Sequence, residues 1–198
     1  MDSRDGPPAI PPLLTPGDDD LMGPRQAFRW FLSDAALAFC ARVVLLLGAL
    51  TAISLTGPFK AWVEEPLISF VTWTTDGLLA LFGAETRRWG SVIHSTGFTI
   101  EIVSGCTGIF TFTLLLSAIV CFPAAWRARL WGLLGGALFI LALNQVRIIT
   151  LFFIGKSYPE LFSEMHVFVW QGVIIVAVAF YFYWWVSRSL ARRQPAEA

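Results

Sequence analysis

Four stretches of almost unbroken apolar residues organise the chain: 36–55, 107–125, 130–155 and 167–186. Each approaches the roughly 20 residues that a helix needs to cross a bilayer, so the pattern predicts four transmembrane helices. A fifth apolar stretch, 66–84, is interrupted by Thr72, Thr74, Thr75 and Asp76. A carboxylate at mid-membrane is costly without a partner, and this stretch reads as an interfacial or re-entrant helix. Between positions 89 and 106 the period changes. Phe98, Ile100 and Val103 alternate with Thr99 and Glu101, and Gly90 and Gly97 punctuate the run, which is the pattern of a hairpin. An open sheet edge cannot face lipid, so the hairpin is expected on the outer surface or capping the helices there, delivering Cys106 to the start of the second span. The first 27 residues hold four prolines within twelve positions and then PGDDD. They lack the apolar content to fold and the basic start and apolar run of a secretory signal. The predicted fold is an all-α integral membrane helical bundle: about four transmembrane helices, one interfacial or re-entrant helix and a short outer hairpin. It forms a single domain over 28–190, with a disordered cytoplasmic tail at 1–27 and a second cytoplasmic tail at 191–198.

Composition agrees with this reading. The 198 residues are 56% hydrophobic and 14% charged, with a mean hydropathy of +0.66, against about 45–50% and about 25% in soluble domains. Basic and acidic residues balance at 14 each, which leaves no basic surface for a nucleic acid. Cys40, Cys106 and Cys121 form no CxxC, and with two histidines in the chain no metal site and no cofactor are expected. The arginines orient the bundle. Arg25, Arg29 and Arg42 flank the first span, Arg127 and Arg129 fill the turn between the second and third, and Arg188, Arg192 and Arg193 follow the last. With four spans all three clusters, and both termini, fall on the cytoplasmic side. Arg87 and Arg88 then lie outside, beside Lys60, Glu64, Glu65 and Glu85; counting 66–84 as a full span would bring them inside but put the N-terminus out.

Three residue types capable of chemistry converge on one membrane face in this topology. Cys106 stands in Gly105-Cys106-Thr107-Gly108-Ile109, where a strand gives way to a helix; free amides and the helix dipole there favour a thiolate and a developing oxyanion. The alternative is a small apolar filler, as expected for Cys40 and Cys121. Asn144 and Arg147 lie three apart in LALNQVRIITLFF, on one helix face. A mid-span arginine costs at least about 2.5–3.5 kcal/mol and needs a compensating role, either chemical or as a snorkelling side chain or an ion pair with Asp76 or Glu101. His166 opens the last span, as a general acid–base group or as a polar interfacial anchor. His94, in the outer hairpin, competes with it for the chemical role but reads as a solvated strand residue. A thiolate, an imidazole and a guanidinium suffice for peptide-bond transfer: attack, protonation of the leaving amine and stabilisation of the oxyanion.

CTGI preceded by an IxV strand, then NxxR in a long apolar helix, then a histidine opening the final helix resembles the exosortase/archaeosortase family of membrane-embedded cysteine transpeptidases. The resemblance covers roughly residues 66–187, with CTGI in place of the usual CSGI, and the compact chain is similar to the exosortase H type. It implies that Cys106, Arg147 and His166 are catalytic, with Asn144, Gly108, Thr107 and Glu101 in support. It also implies the substrates: membrane-anchored proteins ending in a short sorting motif, a transmembrane helix and a basic tail. They are cut on the periplasmic, extracytoplasmic side of the cytoplasmic (inner) membrane, and the acyl-enzyme passes to an acceptor or to water. Two other classes make different predictions. A small transporter or channel would line a polar path with Asp76, Asn144 and Arg147; a non-catalytic assembly factor would use its polar residues only to hold helices together.

Overall fold

A computed structural model describes residues 34–191. The expected tails, and with them Arg25, Arg29, Arg192 and Arg193, lie outside the described residues except for Ala191, which ends the last helix. Backbone contacts divide the described residues into two units, the division falling between Cys40 and Ala41. Helix α1, Asp34–Ser54, begins in the first and ends in the second.

The second unit then contains helix α2, Glu65–Leu81, led in by helical turns from Gly57. Strands β1, Thr86–Trp89, β2, Val92–Ser95, and β3, Phe98–Glu101, follow. Helices α3, Ile109–Cys121, α4, Trp126–Ser157, and α5, Trp170–Ala191, complete it, α5 being led in by helical turns from Pro159. Three stretches among the described residues are long and apolar enough to cross a membrane: Ala36–Ser54, Trp126–Ser157 and Pro159–Leu190. The protein is an all-α membrane helical bundle carrying a small sheet.

Two boundaries differ from the hydropathy reading. The second apolar stretch, expected as a span over 107–125, is helical only over its 13 residues Ile109–Cys121, about 20 Å of rise against the ~30 Å hydrocarbon core. Gly108, left-handed at φ +76°, shortens its start, and Phe122 turns extended at ψ 135°, as the residue before Pro123 must to avoid the proline ring. The expected hairpin is a three-stranded antiparallel meander in the order β1-β2-β3. Ile93 stands opposite Ile100, and both are buried. Its first strand, TRRW, was hidden because no residue of it is fully buried, so it shows no alternation to read.

Helix α4 is central. Its first half packs with α3 and α5 around Leu115, Ile119, Ile140, Ile174, Val178 and Trp185. Its second half, through Ile148 and Phe152, meets Val71 and Leu79 of α2 and Ile93, Ile100 and Ile102 of the sheet segment. The threonines that interrupt α2 face α4: Thr72 and Thr75 are fully buried. Thr75 Oγ1 donates to Gln145 Oε1 at 2.8 Å, and Gln145 Nε2 donates to Thr74 Oγ1 at 2.6 Å and to the Val71 carbonyl at 3.3 Å. Asp76 is settled locally, accepting from Thr86 Oγ1 at 2.7 Å.

Candidate active site

The segment from β3 to α3 is built to present Cys106 on a tight turn. Ser104–Cys106 forms a single 3₁₀ turn, closed by the Cys106 amide donating to the Val103 carbonyl at 2.7 Å and the Thr107 amide to that of Ser104 at 3.1 Å. Thr107, 2% exposed, donates through Oγ1 to the Ser104 carbonyl at 2.7 Å and accepts from the Ile109 amide at 3.3 Å. Ser104 Oγ in turn donates to the Glu64 carboxylate ahead of α2. Gly108 is indispensable to the turn. Its φ is positive, and a Cβ there would come within 3.0 Å of Ile140 Cγ2 and 3.8 Å of Asn144, so the turn lies directly on α4.

Helix α4 answers with three contacts of different kinds. Asn144, 2% exposed, donates through Nδ2 to the Cys106 carbonyl, while its Oδ1 is buried with no partner among the described residues. Gln145, about 100° round the helix, serves the α2 threonines instead. Arg147, one turn beyond Asn144, is 8% exposed and interacts electrostatically with both Cys106 and His166. The ion pair with Asp76 or Glu101 that stood as an alternative is not formed; among the described residues the guanidinium has neither a carboxylate nor a hydrogen-bond partner. Asp76 is held by Thr86 and Glu101 is exposed on its strand. Among the described residues, Asp76, Asn144 and Arg147 share no hydrogen bond or ion pair with one another.

His166 reaches the same place from the lead-in to α5, in the π-helical turn Met165–Val169, a local irregularity that re-aims side chains. Its ring stacks on Phe162 at 5.8 Å and 21°. Phe162 packs on Phe98 of β3 at 5.7 Å, and Phe98 packs edge-on against Phe152 at 5.8 Å. Phe98 needs the missing side chain of Gly155, since a Cβ there would overlap its ring. An aromatic chain thus runs from α4 through the sheet to the imidazole.

These groups enclose a cavity of about 270 Å³, lined by Cys106, Arg147 and His166 together with Glu101, Thr99 and apolar residues including Phe98, Leu151 and Phe162. Three side chains from positions 106, 147 and 166 thus share one chamber. A family model described as "Transmembrane exosortase (Exosortase_EpsH)" matches residues 26–185. The chain belongs to the transmembrane exosortase family. It is a multi-pass membrane protein of a sorting-related family. Neither a search of curated proteins nor one of solved structures finds a match.

Within this exosortase scaffold the remaining candidates separate by position. Asn144, Gly108 and Thr107 shape the cysteine turn from behind, and Glu101 stands on the cavity wall. His94 is exposed on β2, its Nδ1 3.1 Å from Thr99 Oγ1, and does not line the chamber. Cys40 and Cys121 lie on α1 and at the end of α3, and neither lines the chamber. Sequence reasoning missed Phe98, Phe162 and Glu64. Phe162 carried a usable signal, four residues before His166 and so on the same helical face; Glu64 carried none, being 40 residues from its partner Ser104.

Proposed function

We propose that the protein is a membrane-embedded cysteine transpeptidase or peptidase that processes C-terminal sorting signals, with Cys106 as nucleophile. The observation that carries the reading is the chamber shared by Cys106, Arg147 and His166, with a buried arginine that no carboxylate neutralises. A desolvated guanidinium without an ion partner is suited to a charge that appears only during reaction, and a donor of that kind contributes about 10²–10³ in rate.

The Cys106 sulfur attacks the scissile carbonyl carbon as a thiolate, its proton going to the His166 imidazole. Arg147 donates hydrogen bonds to the oxyanion that forms. As the C–N bond breaks, His166 returns the proton to the leaving amine, which departs on the substrate's membrane-anchored C-terminal part, and a thioester remains on Cys106. An acceptor amine or water then attacks the thioester, again through an oxyanion beside Arg147, and the thiol is regenerated. The chamber faces the extracytoplasmic side of the cytoplasmic membrane, and a substrate with one transmembrane helix and a basic cytoplasmic tail presents its motif there.

The acyl-enzyme gives the test. Tagged protein purified rapidly from cells that make its substrates should carry, on the peptide containing Cys106, a polypeptide fragment released by hydroxylamine. Substrate processed at the normal rate by Cys106→Ala protein, with no adduct in the wild type, rules the mechanism out.

A further inference from the structure

Away from the chamber, a cleft of about 310 Å³ lies at the opposite end of α4, lined by Trp131, Gly132 and Gly135 of α4 and Tyr181, Trp184 and Arg188 of α5. Its volume is at the lower end of the about 300–1,000 Å³ of ligand sites. The two helices run antiparallel here, because Tyr181 OH donates to the Gly132 carbonyl at 2.7 Å while Trp185 Nε1 donates to that of Ala128 at 3.0 Å. Each helix then repeats one device. Arg127 precedes Trp131 by four residues on α4, and Arg188 follows Trp184 by four on α5, so each pair shares a helical face. The antiparallel arrangement puts both arginines toward the end of the bundle and both tryptophans one turn deeper. The Arg188 guanidinium carbon lies 4.6 Å over the Trp184 ring, which holds it at the cleft mouth.

The charge that α4 and α5 carry at this end is one-sided. Neither α4 nor α5 contains an Asp or Glu. Arg129, the third cation of α4 and α5 at this end among the described residues, is occupied by the Phe122 carbonyl at 3.0 and 3.2 Å, whereas Arg127 and Arg188 are exposed. Trp131 is 71% and Trp184 41% exposed, large apolar surfaces with polar N–H edges, as suit the headgroup level of a membrane.

We propose that this cleft binds the phosphate of an anionic phospholipid, Arg188 of its lining and Arg127, which adjoins the lining residue Ala128, holding the headgroup and the glycerol and first acyl carbons lying between the indoles over Gly132 and Gly135. Basic pockets between transmembrane helices take such headgroups, each cation contributing a factor of roughly five. The site is independent of the proposed chemistry at Cys106.

The test is native mass spectrometry of the full-length protein in detergent, titrated with dioleoylphosphatidylglycerol, dioleoylphosphatidylcholine or inorganic phosphate. Phosphatidylglycerol should bind and phosphatidylcholine should bind far more weakly. The double variant Arg127→Gln/Arg188→Gln should lose roughly thirty-fold in affinity for phosphatidylglycerol. Arg87→Gln/Arg88→Gln, which removes the same charge from exposed positions of β1, should lose none. All four positions are exposed, so none of the exchanges opens the core. Equal binding of the two lipids, equal losses in the two double variants, or displacement of phosphatidylglycerol by millimolar phosphate overturns the proposal.

Discussion

Each residue at the chamber has a distinct physical task, and substitutions separate them. Arg147→Lys keeps the charge but replaces a planar fork of donors with a compact ammonium; processing should fall at least about 10²-fold while the protein level holds, as read from precursor-to-product ratios on immunoblots. An arginine that served only to hold helices together would tolerate lysine. Asn144 holds the Cys106 carbonyl as a donor. Asn144→Asp, which as a carboxylate can only accept and whose charge is costly at a buried site, should therefore lower activity and thermal stability more than Asn144→Ala does. Loss of the bond in the alanine variant should cost about 1–3 kcal/mol in thermal unfolding. Cys40→Ala and Cys121→Ala should process substrate normally; a loss with either in folded protein would identify a different thiol as the nucleophile. The sequence revealed the residues of the chamber unevenly. Cys106, Arg147 and His166 were legible because charged and nucleophilic groups are rare among apolar neighbours, whereas Phe162 and Phe98 were camouflaged by a chain rich in aromatics.

At the scale of elements, the turn between β3 and α3 places a left-handed glycine two residues beyond the thiol. Gly108→Ala must hold an L residue at φ +76° and press a Cβ on Ile140. The expected cost is about 1–2 kcal/mol from the conformation alone, and activity should fall further than stability because the Cys106 turn shifts on α4. Equal activity per folded molecule would separate that turn from the chemistry. The sheet also explains why part of the fold was hidden. Periodicity located β3 and part of β2, where one face is buried, but β1 pairs with β2 through exposed Arg87 and Arg88 and leaves no hydrophobic pattern. The threonines of α2 looked like a flaw in a span. They are instead the surface that grips Gln145, a contact 70 residues away in sequence and invisible to any local window.

At the scale of the whole molecule, the account places the sheet and chamber outside and the turn between α3 and α4 inside. Thr96→Cys, at the exposed turn between β2 and β3, and Ala125→Cys, before α4, are suitable reporters in a background lacking Cys40, Cys106 and Cys121. An impermeant maleimide on intact spheroplasts should label position 96 and leave 125 unlabelled until the membrane is opened; the reverse pattern inverts the topology and moves the chamber to the cytoplasm. Hydropathy and arginine placement were enough to expect a bundle, because bilayer thickness fixes helix length. They overestimated α3, since Gly108 and Pro123 end a helix that apolar content alone would prolong. The central claim, that Cys106 cuts sorting signals, is tested most directly by comparing the C-terminal peptides of membrane and exported proteins from native-host cells carrying wild-type or Cys106→Ala protein. The account predicts that a set of precursors with a terminal helix and basic tail accumulates uncut in the variant, and that the cut ends in the wild type share a motif. Identical C-termini in both strains, with the protein and such precursors present, would contradict it.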